Sequence, residues 1–62
     1  MIRIVIQNDG TGSEEVGNYD CTLSLPGEPT VVVWIEGFLR EQGWEALVSR
    51  AVSRFATRLE ER

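Results

Sequence analysis

The sequence predicts an α+β fold in which a three-stranded antiparallel β-sheet (β-β-β-α) carries one C-terminal amphipathic helix on one face. Apolar and polar residues alternate over two segments of the first half of the chain, a pattern typical of half-buried strands. After residue 44, apolar residues instead recur three and four positions apart, as on one side of a helix. Because 62 residues leave little room for a second core, we expect residues 1–62 to form a single small domain of two layers.

The first strand is predicted over residues 2–7, where Ile2, Ile4 and Ile6 share one face. Residues 8–15 contain no apolar side chain and are rich in residue types that favour turns. They predict a mobile hairpin loop that leads into an antiparallel second strand.

The second strand is predicted from Tyr19 to Leu25, where apolar side chains again alternate with polar ones. Cys21 falls in phase with the apolar set, which favours a small buried side chain over a reactive thiol. Two prolines and a glycine follow at residues 26–29, and they predict a turn because proline cannot donate a ladder hydrogen bond.

The third strand is predicted over residues 30–36, a segment rich in β-branched and aromatic residues on both of its faces. One face carries Val31, Val33 and Ile35, and the other carries Val32 and Trp34. A single helix covers only one of these faces, and the sequence leaves open which one.

The helix is predicted from Trp44 onward, with Trp44 as an anchor in the core. Residues 37–43 are ambiguous between strand, bend and helix, and we place the boundary near 40–42. The apolar stripe of the helix comprises Trp44, Leu47, Val48, Ala51, Val52, Phe55, Ala56 and Leu59.

The composition excludes several classes of function. Six arginines against ten acidic residues give a net charge of −4, which disfavours a general electrostatic grip on nucleic acid or anionic lipid. The chain has neither histidine nor lysine, so it lacks the commonest general base and the nucleophile of Schiff-base chemistry. We therefore expect no enzyme activity, cofactor or metal site.

The sequence also predicts a cytoplasmic location. The lone Cys21 cannot form an internal disulfide, which fits a reducing compartment. The first ten residues lack the apolar core of a signal peptide. The longest apolar run, residues 31–35, is far shorter than the roughly 20 residues of a membrane span, so no membrane contact is expected.

The uncovered face of the sheet predicts self-association. If Val32 and Trp34 point outward, they join Val5 on that face and form the predicted interface. Covering about 200 Å² of apolar area there would contribute about 5 kcal/mol before association costs. We therefore expect a homodimer or a higher symmetric oligomer, built through this face or through the edge of the third strand.

Four arginines recur at a spacing of four residues and define the arginine row: Arg50, Arg54, Arg58 and Arg62. Three interpretations stay open, namely a solvated helix face, pairing with acidic groups of a neighbour or partner, and phosphate binding. Charge is unevenly distributed, since residues 1–38 hold one arginine and six acidic residues (1 − 6 = −5), whereas residues 39–62 hold five arginines and four glutamates (5 − 4 = +1). The candidate partner-binding residues are thus the arginine row and the acidic Asp9, Glu14 and Glu15.

The function predicted from these patterns is a non-enzymatic, acidic protein-interaction or regulatory module that associates with itself and with another protein. A first alternative is nucleic-acid binding by two arginine rows aligned in a dimer. A second is an acidic decoy that inhibits a basic nucleic-acid-binding protein by presenting carboxylates in place of phosphates.

Overall fold

A computed structural model describes residues 1–61, the side chain of Thr11 excepted. It contains strands β1, β2 and β3, a short 3-10 helix and one α-helix, α1. Both strand pairs are antiparallel, and β2 lies at the centre of the sheet. The predicted β-β-β-α fold is confirmed. The bounds are Arg3–Gly12 for β1, Val16–Ser24 for β2, Val31–Leu39 for β3, Arg40–Gln42 for the 3-10 helix and Trp44–Glu60 for α1.

The hairpin between β1 and β2 is longer than the predicted loop over residues 8–15. β1 continues to Gly12, although its register with β2 shifts between Asn8 and Gly12. Asn8 Oδ1 accepts a hydrogen bond of 2.8 Å from the Gly10 amide. At Gly12 the φ angle is 97°, and a Cβ there would lie 2.3 Å from the Val16 carbonyl oxygen. A polar segment thus remains in the ladder because glycine permits a bulged, closely approaching backbone.

The third strand also extends beyond its predicted end at residue 36. β3 runs on to Leu39 through an irregularity at Gly37, whose amide donates a 2.8 Å hydrogen bond to Asn18 Oδ1. The Arg40 amide then donates to the Glu15 carbonyl at 2.9 Å. Residues 37–43 are therefore strand followed by a 3-10 turn, held against the β1–β2 hairpin.

The core lies between α1 and the inner face of β2 and β3. Val33 and Ile35 point toward the helix, which settles the face of β3 left open by the sequence. Cys21 is fully buried, as predicted. Among the described residues, nine side chains are buried: Tyr19, Cys21, Leu23, Val33, Ile35, Phe38, Leu47, Ala51 and Phe55.

Trp44 is not the predicted core anchor, since 62% of its surface is exposed. The buried stripe of α1 begins only at Leu47, one turn later. The helical spacing correctly identified which side of α1 faces the sheet. It did not predict that the first turn of α1 lies before the part of the helix that packs against the sheet.

The helix packs mainly over β3 and β2. On β1, Ile4 and Ile6 are only half-buried at the side of the core, and Ile2 is exposed. One edge of the inner layer therefore stays partly open beside α1.

Candidate interaction surfaces

The sheet face opposite α1 is called the outer face, and it carries the three predicted interface residues. Val5 pairs with Thr22 and Thr22 with Val32, so these three side chains form one row across the sheet. Trp34 lies in the adjacent row, opposite Asp20. The exposed fractions are 43% for Val5, 52% for Val32 and 56% for Trp34. The structure therefore places all three on one uncovered surface.

The apolar area of this patch is comparable to what weak association requires. Three side chains that are about half exposed offer roughly 200–300 Å² on each copy, so two copies together bury about 400–600 Å², or about 10–15 kcal/mol at about 25 cal/mol per Å². Association costs about 4–15 kcal/mol, which offsets most of this gain. A stable interface typically buries about 800 Å² per partner, and the polar remainder of the outer face would have to contribute the difference.

The arginine row lies beside β3. The guanidinium of Arg50 sits 5.3 Å from the centre of the Phe38 ring, a cation–π arrangement. Arg54 donates a hydrogen bond from its guanidinium to the carbonyl of Trp34. Arg62 lies outside the described residues. Two members of the row are therefore committed to contacts within their own fold.

An open groove of about 340 Å³ lies where the arginine row meets β3. It brings Arg54 and Arg58 beside Trp34, but Glu61 contributes a carboxylate to the same groove. Thr57 Oγ1 donates to the Ser53 carbonyl at 3.1 Å, which satisfies its hydroxyl donor. The lining residues are Val33, Trp34, Ser53, Arg54, Thr57, Arg58 and Glu61.

The acidic candidates lie away from this groove. Glu14 and Glu15 are exposed at the tip of the β1–β2 hairpin, and Asp9 is half-buried in the irregular part of β1. The tip is ordered by Ser13 Oγ, which accepts from the Glu15 and Val16 amides at 3.3 Å each.

A second groove, of about 360 Å³, lies beside the hairpin tip and is lined by Glu14, Glu15, Leu39, Arg40 and Glu41. Sequence reasoning missed Arg40 as a neighbour of these glutamates. The signal for it was weak, because it depends on how far β3 runs before the chain turns. The acidic tip thus shares this groove with one cation and one further carboxylate of its own chain.

The Cys21 thiol is unsuited to nucleophilic chemistry. Burial raises its pKa above the ordinary value of 9.0, the nearby Asp20 carboxylate raises it further, and Arg54 partly opposes both effects. A thiol held neutral in the core is a poor nucleophile.

Comparison with protein-family models, with curated proteins and with solved structures finds no match to this chain. Over residues 1–61, no helix is both long and apolar enough to cross a membrane. Within the same residues, no three acidic or cysteine side chains converge as a metal site would require.

Proposed function

We propose that this chain is a non-enzymatic, acidic interaction module that associates with itself through the outer face. The observation that carries the proposal is the exposed cluster of Trp34, Val32 and Val5 on a sheet face that no other element covers. Aromatic side chains with large exposed area are typical anchors of protein interfaces. A second copy that packs on this face would remove the cluster from water.

The size of the domain supports this proposal. A chain of about 60 residues buries only about 60% of its unfolded surface, which leaves a single copy marginally stable. Association that covers Trp34 would add stability that increases with the logarithm of protein concentration. With one buried cysteine and no partner thiol in the chain, the proposed role belongs to the reducing cytoplasm.

The contacts of the arginine row favour protein interaction over nucleic-acid binding. Arg50 lies on Phe38 and Arg54 on the backbone of β3, so the row presents fewer free guanidinium groups than its spacing suggests. The net charge of −4 also disfavours binding to nucleic acid. Nucleic-acid binding and the acidic decoy remain predictions from the sequence.

Sedimentation of matched tryptophan variants tests the proposal. Trp34→Ser removes the anchor of the outer face, whereas Trp44→Ser removes a tryptophan of similar exposure that lies on the helix. We expect the wild-type chain and Trp44→Ser to self-associate at micromolar concentration, and the dissociation constant of Trp34→Ser to rise at least tenfold. Equal association of both variants, or a folded wild-type monomer throughout, would contradict the proposal.

A further inference from the structure

The sheet has two free edges, and they differ in their contacts with the helix. β2 is central, so β1 and β3 each have one side without a neighbouring strand. On β3, Arg54 of the helix donates to the Trp34 carbonyl. A charged side chain placed on an edge is one of the devices that keep edges from pairing with other strands.

The contact of Arg54 also shows which way the backbone groups of the sheet point. The Trp34 carbonyl is directed away from β2, and in an antiparallel ladder the N–H and C=O of one residue point to the same side. Trp34 and its partner Asp20 therefore form a non-hydrogen-bonded pair. Asp20 must direct its own N–H and C=O to the other side, toward Gln7 of β1.

The same alternation shows which way the backbone N–H and C=O groups of β1 point. Gln7 and Val5 direct their N–H and C=O groups toward β2, because both lie in phase with the pair formed by Gln7 and Asp20. Ile4 and Ile6 therefore direct theirs to the free edge. Residues 3–8 are in regular register and contain no proline, and Arg3, at the end of this stretch, is their one charged side chain.

We propose that the free edge of β1 pairs antiparallel with β1 of a second copy, with Val5 opposite Val5 at the two-fold axis. The inference rests on the proposed self-association and adds a second contact to it. In this register Ile4 of each copy forms a hydrogen-bonded pair with Ile6 of the other, and Arg3 lies opposite Gln7.

A second copy is the occupant because the strand complements itself in this register. Aliphatic residues meet aliphatic residues on both faces of the sheet. No like charges face each other in this register. The two-fold axis makes every contact away from the axis occur twice.

Edge pairing and packing of the outer face use different surfaces, so one assembly can contain both. Pairing through β1 joins two sheets into one of six strands. Packing through the outer face then stacks two such sheets. The result is four copies with dihedral symmetry, in which the edge contact compensates for the limited apolar area of the outer face.

Disulfide trapping tests the register directly. The Val5 pair is non-hydrogen-bonded across the new junction, so its Cα atoms are expected about 4.5 Å apart, inside the range of about 4.4–6.8 Å that a disulfide spans. Val5→Cys is placed in a Cys21→Ala, Trp34→Ser background, which removes the native thiol and the outer-face anchor. Val32→Cys in the same background is the control, since Val32 is similarly exposed but lies on β3.

In a glutathione redox buffer, we expect most Val5→Cys chains to become disulfide-linked dimers and fewer than a tenth of the Val32→Cys chains to do so. A mixture of Arg3→Cys and Gln7→Cys chains should form mixed dimers, while neither forms dimers alone. Urea unfolding checks that each variant is folded. If the wild-type chain self-associates but Val5→Cys links no better than Val32→Cys, the edge proposal fails and the proposed function stands. If the wild-type chain is monomeric, both fail.

Discussion

At the residue scale, the two tryptophans show how position decides the role of one side-chain type. The sequence predicts a core position for Trp44 and an interface position for Trp34 if its face of β3 is uncovered, and both side chains are exposed. Alternation along β3 correctly allowed Trp34 to face outward. Helical periodicity placed Trp44 on the packed side of α1, but periodicity contains no information on where along its axis a helix meets the sheet.

The raised pKa of Cys21 predicts how the stability of the fold depends on pH. The pKa of Cys21 is raised in the folded state, so folding favours the neutral thiol over the thiolate. The contribution of the neutral thiol to stability is complete below the ordinary pKa of 9.0. That contribution is lost as the pH rises through the higher folded value. Urea unfolding from pH 7 to pH 10.5 should show the free energy of unfolding of the wild type falling more steeply above pH 9 than that of Cys21→Ala, which costs about 1 kcal/mol at pH 7. Parallel curves for the two proteins would contradict this explanation.

At the element scale, the hairpin shows what the sequence could and could not predict. Turn-forming residues at 8–15 correctly predicted a reversal between β1 and β2. They did not reveal that β1 reaches Gly12, because a bulge depends on which glycine adopts a positive φ and on the strand it meets. The same holds for β3, whose extension to Leu39 depends on the hydrogen bond between Gly37 and Asn18.

Two glycines of the hairpin form a matched pair for a stability test. Gly12 and Gly10 both have positive φ, but only at Gly12 would a Cβ collide with backbone, at 2.3 Å from the Val16 carbonyl. Gly10→Ala should cost about 1 kcal/mol from backbone strain, and Gly12→Ala should cost more than about 2 kcal/mol. For a domain of this size that difference lowers the melting temperature by at least about 4 °C. Equal melting temperatures would show that the hairpin can open at Gly12 without loss.

The contact between Arg54 and the free edge of β3 can be tested by substitution. Arg54→Ala removes the donor to the Trp34 carbonyl, whereas Arg58→Ala removes a charge from the same row farther along α1. We expect Arg54→Ala to lose up to about 1 kcal/mol of stability and to form more high-mass species, because the edge is exposed. Light scattering on both variants at equal concentration measures the difference. Identical scattering would mean that Arg54 does not protect the edge.

At the scale of the whole molecule, the layer order followed from the sequence because β1, β2 and α1 each have a clear period and β3 is rich in β-branched residues. The surfaces could not be predicted to the same degree. The sequence grouped Val5 with Val32, but the row that they share depends on the register across Thr22. The separation of the acidic hairpin tip from the arginine row depends on the path of the chain after β3. The sequence pattern therefore predicted an uncovered apolar face. It did not predict that Arg50 and Arg54 of the arginine row contact β3.

The central claim is that a second copy covers the outer face, and fluorescence from Trp34 alone tests it most directly. In a Trp44→Phe variant, Trp34 is the single tryptophan, and acrylamide quenching reports its contact with water. Quenching should weaken and the emission should shift to shorter wavelength as protein concentration rises through the range in which sedimentation detects association. Quenching that stays constant while the mass increases would show that copies associate elsewhere and leave Trp34 exposed.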